Sequence, residues 1–341
     1  MNVLWFVSAI SQEGGQLTSP LASVRLRCIE PLKGMQQLGE KLNVRLAVLG
    51  PNMQLDPAFL ATCDAAIIGK TMADLTPLLD VLERLRVPIV VDICDDPYEK
   101  EHLKAAYEKL IRRADLICAA SGYLAGKVRA ASGKDVRIID DVVEYDAQTA
   151  ITTPRPGSRL RLCWFGQASN LPPLLDQLAA LASLGFATVQ IDIATNITPA
   201  VADRVKSAAG SLPGLELVLH AWSREVVPQI ISRSDIVLIP VASREWAKAK
   251  TANRLMTALQ LGRPCVAGVI PSYQEFADYV CLDNDMAAGV QALLTQWEAQ
   301  PGKIRQGQAY IRESYSAAGI ARQWLAAIRQ SSALRQAIVR K

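Results

Sequence analysis

The stretch Arg244–Gly268, REWAKAKTANRLMTALQLGRPCVAG, gives the clearest indication of the fold class. It follows an apolar run, Ile236–Ile239, that predicts a short buried strand. Thr251 is expected to open a helix that Gly262 closes, and Pro264–Ala267 predicts the next strand. Two strands separated by a basic loop and a helix are typical of a βαβ unit in a parallel sheet.

The loop and the helix start within this stretch predict an anion site. The first turn of a helix presents unpaired backbone N–H groups and a partial positive charge, and a diphosphate suits it. The carboxyl end of a strand is also where open α/β sheets bind ligands. The alternative is a solvated basic loop with an ordinary N-cap threonine. The side chains concerned are Arg244, Lys248, Lys250, Thr251, Asn253 and Arg254.

The same alternation of apolar runs and helix-length segments extends over the whole chain. In the first half the predicted strands are Val3–Val7, Arg45–Leu49, Ala65–Ile68, Pro88–Asp92, Leu116–Ala119 and Val136–Ile139. In the second half they are Leu160–Phe165, Thr188–Ile193, Leu215–Leu219, Ile236–Ile239 and Pro264–Ala267.

A polar stretch with two prolines and a glycine, TTPRPGS at 152–158, separates the two series and predicts an interdomain linker. We therefore expect an α/β protein with two Rossmann-like domains that face a cleft. The first is expected over 1–151 and the second over 159–320, and a C-terminal helix over 321–341 can cross back to the first domain. A chain of 341 residues, half of them hydrophobic, also exceeds what one core usually holds.

Composition excludes several functional classes. The seven cysteines show no CxxC spacing, which argues against a disulfide framework or a zinc site and favours a reducing compartment. A net charge of +4 without a long basic run gives no support to nucleic-acid binding. The apolar start, MNVLWFVSAI, is short and lacks a basic region, so we interpret it as a strand of a cytoplasmic protein. The basic tail RQAIVRK at 335–341 indicates at most a peripheral membrane contact, or simply a solvated helix end.

The loop after the first predicted strand, SQEGGQLTS, contains Gly14 and Gly15. Glycines allow the backbone to approach a ligand closely, so this loop is a candidate binding element, with a merely flexible loop as the alternative. Arg25 and Arg27 follow two residues apart on a predicted helix, so only one of them is expected to face the cleft.

Carboxylates follow the fourth predicted strand in VVDICDDPYEKEHL, residues 90–103. Asp95, or the nearby His102, is a candidate general base for an acceptor hydroxyl. The alternatives are N-capping by Asp95 and Asp96 and a surface position for His102. The adjacent pair lacks D-x-D spacing, so no metal site is predicted.

The order SDIVLIP, KTANRLMTALQLGRPCVA and PSYQEF resembles the nucleotide-sugar half of bacterial GT-B glycosyltransferases of the family 4-like, or group 1, type. RLCWFGQASNL, HAWSREVVPQII and RRADLICAASGYLAGKV resemble other parts of the same family. The resemblance implies that Lys250 and Thr251 hold the donor diphosphate, that Gly166 forms a glycine turn beside it, and that Glu275 contacts the sugar or ribose. Trp222 then either stacks on the nucleobase or packs in the core.

The chain departs from the family pattern at two places. The usual pair of glutamates is replaced by Ala249 and Thr257, and Gln167 and Asn170 stand where the family places Arg and Lys. The resemblance is therefore to a divergent member in which other cations must balance the phosphate charge. Arg244, Lys248, Lys250 and Arg254 are the candidates.

The resemblance implies transfer of a sugar from a UDP- or GDP-sugar to the hydroxyl of a glycan or lipid-linked acceptor. It also implies a role in bacterial surface polysaccharide synthesis and no permanently bound cofactor. Asp95, His102 and Lys250 are the catalytic candidates. A CMP-linked acidic sugar transferase, a GT-B sugar-nucleotide epimerase and a bilobed small-molecule binding protein remain as alternatives.

Overall fold

A computed structural model describes residues 1–50, 53, 55–71, 73–99, 101–151, 155–210 and 212–339. The side chains of His102 and of residues 335–339 lie outside this description, as does the start of the TTPRPGS stretch at 152–154. The chain forms two compact units. The first comprises Met1–Glu144, Lys248–Thr251 and Glu313–Lys341, and the second comprises Tyr145–Ala247 and Ala252–Arg312.

The first unit is built on a six-stranded parallel sheet with the order β4-β1-β5-β6-β7-β8. All residues of β5 and β6 are buried, as expected for central parallel strands covered on both faces. A small antiparallel hairpin, β2-β3, follows β1. The strands are β1 Asn2–Val7, β2 Ser11–Glu13, β3 Gln16–Thr18, β4 Asn43–Val48, β5 Ala65–Ile68, β6 Ile89–Ile93, β7 Leu116–Ala119 and β8 Arg137–Ile138.

Seven helices and one π-helical turn, Arg25–Ile29, complete the described part of the first unit. The last helix packs on α2, and Trp324 lies 4.9 Å from Trp5 of β1 between ring centroids. The expected return of the C-terminal helix to the first sheet is therefore confirmed. The helices are α1 Ala22–Val24, α2 Glu30–Gln37, α3 Pro57–Leu60, α4 Thr76–Arg84, α5 Glu101–Arg113, α6 Gly122–Ser132 and, at the end of the chain, α14 Ala317–Val339.

Lys134 closes the end of α5. Its ammonium donates hydrogen bonds to the backbone carbonyls of Ile111, Arg112 and Ala114 at 3.0, 2.6 and 3.0 Å. A cation at this position satisfies carbonyls that have no partner within the helix and interacts favourably with its negative end.

We expect Lys134→Met to lower the free energy of unfolding by about 1 to 2 kcal/mol, because three carbonyls lose a charged donor. Urea unfolding monitored by circular dichroism measures this difference. Lys41→Met is the matched control, because the exposed ammonium of Lys41 has no partner among the described residues. Equal stability of the two variants would contradict the proposed capping role.

The second unit is built on another six-stranded parallel sheet, with the order β11-β10-β9-β12-β13-β14. Its strands are β9 Arg159–Phe165, β10 Thr188–Thr195, β11 Leu215–Ala221, β12 Ile236–Ile239, β13 Cys265–Ala267 and β14 Cys281–Leu282. Its helices are α7 Pro172–Leu175, α8 Leu178–Ala182, α9 Pro199–Ala209, α10 Val226–Arg233, α11 Asn253–Gln260, α12 Met286–Thr295 and α13 Gln300–Ser314, the last of which ends in the first unit. The predicted α/β class and the two Rossmann-like sheets are confirmed.

Gly262 ends α11, as the sequence predicts. Its φ of 76° places it in the left-handed region. The N–H of Gly262 donates to Leu259 and the N–H of Arg263 donates to Ala258, which together form a Schellman motif. The predicted start of this helix is wrong, because α11 begins at Asn253 rather than at Thr251.

No helix in the described part of the chain is long and apolar enough to cross a membrane.

Candidate functional site

Each sheet has one place where the order of its strands reverses. In the first sheet, chain order reverses between β1 and β5, and in the second sheet between β9 and β12. In open α/β sheets, a ligand crevice forms at the carboxyl ends of the strands on either side of such a reversal. The residues that follow these four strands are therefore the natural candidates in each unit.

In the second unit, Gly166 follows β9 and Arg254 lies in the first turn of α11, after β12. A Cβ atom built on Gly166 would lie 3.4 Å from Nη1 of Arg254 and 3.3 Å from Cζ2 of Trp164. The Arg254 guanidinium and the Trp164 indole thus both lie against the backbone of Gly166. The structure brings together two of the sequence-predicted residues, Gly166 and Arg254, at the reversal point.

Two buried N–H groups in this cluster have no hydrogen-bond partner among the described residues. They are Nη1 of Arg254 and Nε1 of the fully buried Trp164. The Arg254 guanidinium hydrogen-bonds the Tyr273 hydroxyl but forms no ion pair with a described carboxylate. Burial raises the pKa of Tyr273, and the positive charge of Arg254 opposes that rise.

Buried polar groups in proteins are normally hydrogen-bonded, so two neighbouring buried N–H groups without partners indicate that a ligand supplies the acceptors. The cluster of Trp164, Gly166 and Arg254 therefore has the chemistry of a site for an anionic ligand. The start of α11 adds to it, because the N-cap residue is Ala252, whose side chain cannot cap the first amides. We call these residues the arginine site.

The other residues predicted for this unit are placed differently. Arg244 is exposed. Glu275 is exposed in a 3₁₀ helix, Pro271–Phe276, and accepts a hydrogen bond from the Tyr310 hydroxyl at 2.8 Å.

Thr257 donates its hydroxyl to the Asn253 carbonyl at 2.8 Å within α11, so it offers no substitute for a ribose-binding carboxylate. His220 pairs with Asp192 at 2.6 Å, and Trp222 is half-buried.

In the first unit, Lys70, Asp95 and Lys250 form a charged cluster. Lys70 follows β5, and its Nζ donates to Oδ2 of Asp95 at 2.5 Å, whereas Nζ of Lys250 donates to Oδ1 at 3.1 Å. Burial by itself would raise the pKa of Asp95, but Lys250 and Lys70 lower it below its ordinary value. Burial would lower the pKa of Lys70, but Asp95 raises it. We call this group the lysine cluster.

This arrangement changes the interpretation of Asp95. A carboxylate whose pKa is lowered by two ammonium groups is a weak proton acceptor, so it is poorly suited to act as a general base. N-capping by Asp95 or Asp96 is also wrong, because α5 begins at Glu101. Asp96 instead accepts hydrogen bonds from the Tyr98 N–H and the Lys127 ammonium.

Lys250 is held by its two neighbours in the chain. Ala249 is buried in the hydrophobic core of the first unit, and the Thr251 hydroxyl donates to Asp141 at 2.6 Å. The hydroxyl of Thr251 therefore serves Asp141 rather than a helix start, which corrects its predicted capping role. Lys248 is exposed at the beginning of the same short segment.

No protein-family model and no curated protein sequence matches the chain, whereas solved structures do. HepE of Anabaena in complex with UDP-glucose has 14% identity and a TM-score of 0.66, covering 95% of this chain and 98% of its own. A glycosyltransferase from Rickettsia africae has 12% identity and a TM-score of 0.67, with coverages of 97% and 98%. A UDP-forming α,α-trehalose-phosphate synthase from Burkholderia xenovorans has 11% identity and a TM-score of 0.57, with coverages of 96% and 93%.

The chain has the GT-B fold. In this GT-B chain the arginine site belongs to the second Rossmann-like unit and the lysine cluster to the first. Lys70 and Trp164 were not among the site residues predicted from the sequence. Lys70 had a detectable signal, because it follows the apolar run Ala65–Ile68 by only one glycine and so stands at the carboxyl end of a predicted strand.

Two arginines of the first GT-B unit are structural. Arg25 pairs with Glu144 at 2.6 Å, and Arg27 makes a bidentate contact with Asp92 at 2.7 to 3.0 Å. Both arginines are almost fully buried, so the expectation that one of them faces a ligand is wrong. The physical reason is that every residue of the π-helical turn is buried, so the turn is covered on all sides and each guanidinium has a carboxylate partner inside the unit.

Gly14 and Gly15 form the exposed two-residue turn of the β2-β3 hairpin, with φ values of 55° and 77°. Positive φ at both positions accounts for the glycines, and a Cβ atom on either would meet no atom within 4 Å. A turn thus explains them without a ligand.

The His102 backbone lies in α5, but its side chain is outside the described residues. No group of three or more His, Cys, Asp or Glu residues in the described ranges could hold a metal ion.

Proposed function

We propose that this protein is a glycosyltransferase that transfers a sugar from a nucleotide-sugar donor to a hydroxyl acceptor. The observation that carries the proposal is the Arg254 guanidinium, whose buried Nη1 has no partner among the described residues and lies against Gly166, where the strand order of the second sheet reverses. A nucleoside diphosphate is the ligand class that best satisfies a guanidinium, an indole N–H and a helix N-terminus together. The UDP-glucose bound to HepE and the UDP-forming synthase support a UDP-sugar as the donor.

In this proposal, Arg254 acts on the leaving group. When the bond between sugar and phosphate breaks, negative charge accumulates on the diphosphate, and a fixed guanidinium in a partly buried site stabilises it without reorganisation. The uncapped first turn of α11 adds a partial positive charge beside it.

The donor nucleotide, the acceptor and the cellular location follow as more specific proposals. We propose a UDP-sugar in preference to a GDP-sugar, and an acceptor that is a glycan or a lipid-linked sugar. We also propose that the protein works in the cytoplasm in the synthesis of a bacterial surface polysaccharide.

A donor panel tests the proposal. Titration calorimetry of the full chain with UDP, GDP and CMP is expected to show binding of UDP with a Kd at least 10-fold lower than that of the other two nucleotides. Incubation with UDP-sugars is then expected to release UDP, which a coupled assay measures.

The outcomes of this panel separate the candidate functions. Selective binding of CMP would favour the acidic-sugar transferase. A UDP-sugar converted to its epimer, with the diphosphate bond retained, would indicate an epimerase. Binding without any turnover would indicate a binding protein, and the absence of nucleotide binding would overturn the proposal.

A further inference from the structure

We propose that Tyr273 is a positioning residue of the second unit, which holds the Arg254 guanidinium in the orientation that binds the diphosphate of the donor. This rests on the proposed function, because the arginine site is the donor site of that reaction. Tyr273 belongs to the stretch PSYQEF at 271–276, from which the sequence predicts only Glu275 as a site residue.

The topology of the second sheet brings Tyr273 to the arginine site. Strands β9, β12 and β13 are consecutive neighbours in this parallel sheet, so the segments that follow them meet at one carboxyl edge. Gly166 follows β9, Arg254 follows β12 and Tyr273 follows β13. The Arg254 guanidinium donates a hydrogen bond to the Tyr273 hydroxyl, and its Nη1 lies 3.4 Å from where a Cβ atom of residue 166 would stand. The arginine is therefore held between two segments of the same edge.

The Tyr273 side chain is itself fixed by its surroundings. Tyr273 is 1% exposed, and Phe276 on the same 3₁₀ helix is fully buried. The N–H of Tyr273 donates to the Ile270 carbonyl at 3.0 Å, and the N–H of Val269 donates to the side chain of Asn284 at 2.9 Å. A side chain locked by packing holds its neighbour in one geometry, whereas an arginine without such support samples many rotamers.

The hydroxyl of Tyr273 is a neutral acceptor, and this matters for the charge of the site. Burial raises the pKa of Tyr273, so the phenol stays protonated at neutral pH. A guanidinium has five N–H donors, and the hydroxyl accepts from it without cancelling the positive charge, as a carboxylate would. Arg254 makes no ion pair with a carboxylate in the described part of the chain, and its Nη1 has no partner there. Tyr273 thus orients the arginine and leaves its charge and Nη1 for a phosphate.

Tyr273→Phe removes the hydroxyl and keeps the ring that fills the core. The guanidinium then retains its charge but loses its fixed orientation, so more entropy is lost when a nucleotide binds. We expect this variant to bind UDP about 10-fold more weakly than the wild type, the size expected for one hydrogen bond to a charged group. Thermal unfolding shows whether the variant remains folded.

A double-mutant cycle with Arg254→Met separates positioning from a structural role. Methionine keeps the aliphatic part of the arginine side chain but cannot donate to the hydroxyl. Titration calorimetry gives the Kd of the nucleotide that the donor panel selects, expected to be UDP, for the wild type, both single variants and the double variant. In the Arg254→Met background, Tyr273→Phe should change this Kd by less than about twofold, because no guanidinium remains to be oriented.

Tyr107→Phe is the matched control. Tyr107 is also a buried tyrosine with a hydrogen-bonded hydroxyl, but its partner is the backbone of Thr71 in the first unit. This variant should bind the nucleotide as tightly as the wild type does. Equal weakening in both tyrosine variants would assign the effect to a general loss of a buried hydroxyl and would contradict the positioning role.

The outcomes distinguish this proposal from the proposed function. If Tyr273→Phe binds the nucleotide as tightly as the wild type, or loses the same factor with and without Arg254, the positioning role is overturned. If the cycle gives the expected result but no nucleotide sugar is turned over, the transfer reaction fails and the positioning role at a nucleotide site stands. If the wild type binds none of the nucleotides, both proposals fail.

Discussion

Replacement of Arg254 by glutamine is expected to lower kcat/KM for the nucleotide-sugar reaction by about 100- to 1,000-fold, the range seen when one preorganised donor to a developing charge is removed. Glutamine keeps a hydrogen-bond donor of similar reach but removes the positive charge. The leaving diphosphate then loses its main counter-charge in a site where water cannot easily replace it. Measurement of UDP release at several donor concentrations gives kcat/KM directly.

A second measurement on the same variant distinguishes a binding role from a structural one. Arg254 has a buried Nη1 without a partner and no ion pair among the described residues, and a buried donor without a partner is a cost to the free protein. We therefore expect Arg254→Gln to unfold at the same temperature as the wild type or at a higher one. Loss of activity together with a large loss of stability would contradict the ligand-binding role.

Arg244→Gln is the control for charge alone. Arg244 is an exposed arginine in the loop before α11, and its removal changes the net charge of the chain by the same amount. Its effect on kcat/KM should stay within about threefold, because an exposed charge is screened by water and salt. An equal loss in both variants would mean that the basic loop acts through its overall field and not through the arginine site.

Replacement of Gly262 by alanine is expected to cost more than about 3 kcal/mol of unfolding free energy, among the larger effects of single substitutions. Two causes add. The left-handed backbone at φ 76° is unfavourable for any residue with a Cβ atom. In addition, the new Cβ would lie 2.2 Å from the Thr149 carbonyl oxygen. This is a backbone atom, and the residues on either side of it are hydrogen-bonded to the end of α11, so the backbone would have to shift to make room.

Gly185→Ala separates these two causes. Gly185 has a similar φ of 82°, but a Cβ atom there would meet no atom within 4 Å. Its substitution should therefore cost only the backbone preference, about 1 to 2 kcal/mol. Urea unfolding of both variants gives the difference, which is the cost of the close contact with Thr149. If the two variants are equally stable, the close contact carries no energetic weight.

The fold could be predicted from the sequence because its signals are local. Apolar runs such as Ala65–Ile68 and Ile236–Ile239 become central strands, since parallel strands covered on both sides must be apolar throughout. Gly262 and the following proline mark the end of α11, because a left-handed residue is needed there. Trp324 and Ile328 lie on one helical face and pack in the core of the first unit, as their spacing indicates.

The site was harder to predict, because its contacts join distant segments. No local pattern reveals that Ala249 enters the core of the first unit or that Thr251 binds Asp141, and both facts place Lys250 beside Asp95. The burial of Arg25 and Arg27 depends on Glu144 and Asp92, carboxylates far away in the chain that no local pattern connects to this helix. The sequence did point to Gly166 and Arg254, but the unpaired Nη1 that singles out Arg254 is a property of the folded unit.

The return of α14 to the first sheet has a consequence for protein synthesis. Trp324 and Ile328 belong to the same buried cluster as Trp5 and Ile67, so this core lacks one of its layers until α14 has left the ribosome. The second unit requires no residue beyond Arg312. We therefore expect the second unit to fold first on the nascent chain, while the apolar face of β1 is still exposed. This order is the reverse of the usual one, in which the N-terminal domain folds first.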